Sequence, residues 1–99
     1  MILMTHEKWL VAKPSWREAE EYAMRVESSS EFYDYCEVEE ELGTVEQVYE
    51  RLLREGFNGE LARLLRMNGI APEDKPEWLR RLIERGKGGY KVFIIDCHW

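Results

Sequence analysis

The side chains best suited to do chemistry are few: two histidines, His6 and His98, and two cysteines, Cys36 and Cys97. A zinc-type centre needs three or four such ligands at short spacing. This chain has no Cys-x-x-Cys, no His-Glu-x-x-His and no two histidines one helical turn apart. Cys97 and His98 are adjacent, so in an extended segment they point to opposite faces. Nucleophilic catalysis would need a Cys or Ser beside a histidine base that a third group orients, and two histidines near the ends of the chain make that set thin. Carboxylates are so numerous that a glycosidase-like pair among them has no diagnostic value, and no Asp-x-Asp-x-Asp-Gly loop could curl around calcium. Gly86-Lys87-Gly88-Gly89 lacks the Lys-Ser/Thr and following helix of a phosphate-binding loop and reads as a turn. The expectation is a protein that is not an enzyme and that uses neither metal nor cofactor.

The carboxylates carry information through their distribution. Residues 18 to 50 hold twelve acidic side chains against Arg25 alone, a net of −11. Residues 1 to 17 carry +2 and residues 51 to 99 carry +3, so one third of the chain holds all of the overall −6. Like charges within about 8 Å repel and disfavour the compact state, and something must offset that cost. One explanation is solubility alone, because a charge run is commonly a solvated face. The other is a partner with a basic surface.

The stretch ESSSEFYDYCEVEEEL, residues 27 to 42, adds aromatic rings to the acids. Read as a strand over 31–38, it turns Phe32, Cys36 and Val38 inward, while Tyr33, Tyr35, Glu37 and Glu39 share the outer face. A helix capped by Ser28 and Glu31 competes with this reading. Carboxylates beside exposed tyrosines resemble phosphates beside bases, and tyrosine is frequent among interface hot spots. The candidate partner-binding residues are Glu31, Tyr33, Asp34, Tyr35, Glu37, Glu39, Glu40 and Glu41, with Glu20 and Glu21 nearby.

Several elements must position these groups. Ser15 with Glu18 forms a capping box before a helix over 16–27, whose Trp16, Ala19, Ala23 and Val26 lie on one face. Thr44 with Gln47 caps a second helix, striped by Val45, Val48, Tyr49, Leu52 and Leu53 and ending at Gly56. Asn58 is placed to cap a third helix that stops at Asn68-Gly69, with Ile70 folding back on its last turn. Pro72 and Pro76 bracket a turn, after which Pro76 suits the start of a fourth helix. Tyr90 to Cys97 reads as a strand buried on both faces, and 8–12 is its best partner.

About 100 residues make one domain, 1–99, with one modest core. The fold class expected is α+β: two or three strands, the N-terminal one paired with the C-terminal one, under about four helices. The longest uncharged apolar run, Met1 to Met4, is far too short to span a bilayer, and two cysteines fall short of a secreted disulfide framework. Both are expected reduced in a cytoplasmic protein. The functional expectation is a small acidic inhibitor that occupies a basic, nucleic-acid-binding surface of another protein. Phage-encoded anti-defence proteins of the anti-CRISPR or anti-restriction type and immunity proteins against nuclease toxins work in this way. A rival is a winged-helix-like DNA-binding protein using 58–95, with Arg80, Arg81, Arg85 and Lys87 toward DNA. About ten residues between its two helices and the repulsion of the acid block from phosphates weigh against it.

Overall fold

Six consecutive residues of the last strand, Val92 to Cys97, are buried, so this segment needs a hydrogen-bonding neighbour on each edge and a packed layer on each face. The computed structural model, which describes residues 5–99, supplies all four; the Met1 to Met4 run lies outside the described residues. The elements in order are β1 (His6–Lys13), α1 (Trp16–Ser29), β2 (Tyr35–Thr44), α2 (Val45–Glu55), α3 (Glu60–Met67), a short 3₁₀ turn (Pro72–Asp74), α4 (Lys75–Glu84) and β3 (Lys91–His98). The sheet order is β1-β3-β2, and both outer strands run antiparallel to β3. The expected α+β class and the pairing of the N-terminal with the C-terminal strand are therefore observed. β1-α1-β2 forms a split βαβ unit into which β3 inserts.

Alternation along β3 divides the core in two. Val92 and Ile94 face Val48, Leu52, Leu61, Leu65 and Leu79, from α2, α3 and α4. Phe93, Ile95 and Cys97 face Ala19 and Ala23 of α1, with Val11 and Cys36 beside them. Ala19 and Ala23 lie on the face the periodicity predicts, and with side chains this small they let α1 sit close to the sheet.

Local signals explain most boundaries. Ser15 Oγ accepts the Glu18 amide at 3.3 Å, which is one half of the expected capping box. The Thr44 box is complete: Thr44 Oγ1 accepts the Gln47 amide at 3.1 Å, and Gln47 Oε1 accepts the Thr44 amide at 2.9 Å. Strand thus passes into helix without a loop. Gly43, at φ +118°, makes this possible, since a Cβ there would meet Gln47 Oε1 at 2.9 Å. α3 ends as expected, with the Ile70 amide donating to the Leu65 carbonyl at 2.8 Å and Gly69 at φ +75°. Its start differs. The N-cap is Gly59 and not Asn58, and the Leu61 amide donates to Glu55 Oε1 at 3.1 Å, so α2 caps α3 from its own last residue. Arg51 hydrogen-bonds the same carboxylate, and together the two contacts hold Glu55 below the usual carboxylate pKa.

The ambiguous stretch is a strand, but shifted: β2 begins at Tyr35 and runs to Thr44, while 30–34 form a bend. Two irregularities, between Val38 and Glu40 and between Glu41 and Gly43, break its register with β3. The reduced state expected for the cysteines is also corrected, because Cys36 and Cys97 are register partners on one face and form a disulfide.

Two measurements test this frame. Phe93→Ala, at a wholly buried position, should cost about 3–5 kcal/mol in urea unfolding; a loss within the scatter of surface substitutions would contradict the packing. The disulfide closes a sequence separation of 61 residues, for which loop-closure entropy predicts about 4 kcal/mol of stabilisation. A Cys36→Ala, Cys97→Ala double variant should melt clearly below the oxidised protein, and equal melting would show the bond to be absent.

A candidate acidic interface along the edge strand

β2 is an edge strand, and the acidic third of the chain wraps it. The Cys36 amide points away from β3, and Glu27 Oε1 of α1 accepts its hydrogen bond at 2.9 Å. This contact ties α1 to the open edge and satisfies one of its donors. A groove of about 430 Å³ runs between the two elements, lined by Glu20, Met24, Glu27, Tyr35, Glu37 and Val38. Side chains from two separate acidic segments therefore meet there.

The ten candidate residues fall into three groups. Glu31, Asp34, Glu37 and Glu40 are exposed and have no ion-pair partner among the described residues. Glu21, Glu39 and Glu41 are engaged: Arg17 lies 3.4 Å from Glu21, Lys8 2.8 Å from Glu39 and Lys91 3.5 Å from Glu41. Exposed pairs of this kind contribute little to stability, yet they reduce the charge on offer. Glu20 accepts from the indole nitrogen of Trp16. The tyrosines part company. Tyr35 stays exposed on the outer row beside Glu37, whose charge raises its phenol pKa.

Tyr33 was expected on that outer row, and Phe32 inside; both are reversed, because the strand starts later than the alternation suggested. Phe32 is 75% exposed. Tyr33 packs between Trp9 and Trp99, with ring centres 5.8 and 5.4 Å away, and its hydroxyl donates to the Glu7 carboxylate. That bond favours the protonated phenol and pushes its pKa up to about 12. Cys36 and Val38 do face inward, as expected.

A second constellation escaped sequence reasoning. At the open end of the opposite sheet face, His6 is the register partner of His98, and His6 Nδ1 donates to the Asp96 carboxylate at 3.0 and 3.2 Å. The signal was latent: extending the predicted pairing of 8–12 with the last strand by two residues brings these histidines together. Among the described residues no group of three or more His, Cys, Asp or Glu side chains is gathered to hold a metal ion, and no helix is long and apolar enough to cross a membrane.

In the 58–95 region, α3 and α4 are joined through the 3₁₀ turn and followed by β3. The strand after the glycine loop is the central strand of the sheet, paired with β1 on one edge and β2 on the other. Arg80 is taken up by Glu77 and Glu84, both at 2.5 Å, as its helical spacing predicts. Comparison with known proteins gives no relative: no family model, no curated protein and no solved structure matches this chain.

The Tyr33–Glu7 contact predicts a pH effect. The folded-state pKa lies above the ordinary value of 10.0, so the contribution is fully present below about pH 10 and is lost as pH rises toward about 12. Ultraviolet titration should find one phenol ionising near 12, and Glu7→Gln should bring it down. An unchanged titration curve in that variant would rule out the contact.

Proposed function

We propose that this is a small, non-enzymatic binding protein that offers the acidic β2 edge to a basic surface of another protein, most simply a nucleic-acid-binding groove. The observation that supports the reading is the run of exposed carboxylates along β2 and the acid-lined groove between β2 and α1. Glu31, Asp34, Glu37 and Glu40, exposed and without an ion-pair partner among the described residues, lie along β2 and its lead-in; Glu37 meets Glu20 and Glu27 of α1 in one groove, while Glu40 lines a separate one beside Arg51 and Arg63. Tyr35 supplies a rigid, amphipathic ring among the acids. Carboxylates with no cation beside them cost stability through mutual repulsion, and a cationic partner would relieve it. Inhibition of a nuclease, whether a bacterial defence enzyme or a toxin, is the specific form proposed. It rests on charge and size, since fold alone does not assign function.

The compartment proposed is the cytoplasm, where such targets act. The Cys36–Cys97 bond pulls against this, because disulfides persist mainly in oxidising compartments. Charge that serves solubility alone is the competing reading, and it predicts no dependence on which carboxylates are present.

The test is binding to a panel of nucleases with basic grooves, measured between about 50 and about 200 mM salt. Affinity should fall about tenfold or more across that range. Neutralising Glu31, Asp34, Glu37 and Glu40 to their amides should abolish it, whereas neutralising Glu46, Glu50, Glu73 and Asp74 should leave it nearly intact. Equal losses in the two sets would reduce the effect to net charge and sink the proposal.

A further inference from the structure

The face of the sheet away from α1 is covered by helices only over part of its length. Its open end displays two rows across the three strands: His6, His98 and Tyr35 in one, Lys8, Asp96 and Glu37 in the next. Thr5 and Trp99 exchange backbone hydrogen bonds in both directions, at 3.1 Å each. Bonded and non-bonded pairs alternate along an antiparallel ladder, so His6 and His98 form a non-hydrogen-bonded pair, the type in which facing side chains stand closest. Their ring centres are 5.2 Å apart.

We propose that His6 and His98 form a surface site for a divalent transition-metal ion of the zinc class, with Asp96 as the positioning residue behind His6. The Nδ1 of His6 is occupied by Asp96, which leaves Nε2 as the nitrogen that carries a free lone pair. A carboxylate that fixes the tautomer and orientation of an imidazole in this way is the usual outer partner of a metal-bound histidine. The spacing fits as well: at metal–nitrogen distances of about 2.0–2.1 Å and tetrahedral angles, two imidazoles on one ion have ring centres roughly 5 Å apart.

The surroundings select a cation over an anion. Among the described residues Asp96, Glu37 and Glu39 stand around Lys8 on this face, and Lys8 is held by Glu39 at 2.8 Å and Asn68 at 3.0 Å. Asp96 is only 7% exposed. A metal-bound imidazole would offset its buried charge better than a neutral one does. Imidazole nitrogens suit zinc, copper and nickel, and among the described residues no third ligating side chain joins the pair, so water completes the shell. The ion is thus bound reversibly at the surface and is not required for folding.

The experiment is calorimetric titration of the oxidised, tag-free protein with zinc chloride alone, alongside imidazole resonances followed by NMR. The expected result is one saturable site, with the His6 and His98 ring signals shifting together. His6→Ala or His98→Ala should weaken binding more than tenfold with an unchanged circular dichroism spectrum. Asp96→Asn should weaken it about 10–100-fold while both histidines remain. Should that buried substitution unfold the protein, the wild-type resonances and the variants at exposed His6 and part-buried His98 still decide. Absence of saturable binding by the wild type overturns the proposal, and so does zinc affinity that survives His98→Ala.

Discussion

The rest of the structure answers to one constraint, the burial of β3. A strand with six consecutive buried residues must have its backbone groups paired on both edges and its side chains covered on both faces. β1 and β2 meet the first requirement, α1 and the α2–α4 layer the second. The two core clusters follow from its alternation. The disulfide fits the same frame, since Cys97 can reach Cys36 only because β2 is placed against β3 in that register.

The same arrangement makes β2 an edge and loads that edge with acid. Edge strands invite unwanted pairing, and charge together with register breaks discourages it. Here Glu27 covers the Cys36 amide, two irregularities bend the strand, and Glu37, Glu39, Glu40 and Glu41 line it. Part of the acidic excess is explained in this way, without any partner. Glu39 and Glu41 are further tied to Lys8 and Lys91. What the edge leaves without an ion pair among the described residues is a smaller set, Glu31, Asp34, Glu37 and Glu40, of which Glu37 accepts the Tyr35 hydroxyl, and the proposed interface rests on these four rather than on the whole acidic third.

Much of this was legible in the chain because local chemistry fixed it. The Thr44–Gln47 box, the Asn68-Gly69 stop and the Ala19–Ala23 stripe are signals within a few residues of where they act. Legibility failed where the deciding partner is distant in sequence. Alternation over 31–38 was real for Cys36 and Val38. Tyr33, however, is captured by Trp9, Trp99 and Glu7, which hold it in the bend before the strand. Likewise, nothing local announces that His6 meets His98 or Cys36 meets Cys97, because register across a sheet is a property of the whole sheet.

The order of strands in space differs from their order of synthesis. β1 and β2 come earlier in the chain and lie parallel to each other, yet they are not neighbours: β3, which follows both in sequence, lies between them. Without β3 neither outer strand has a hydrogen-bonding neighbour in the sheet, and the acidic edge has no scaffold. The sheet is therefore built wholly from pairings distant in sequence, the class of contact that slows folding, and a chain stalled before residue 91 would lack its central strand.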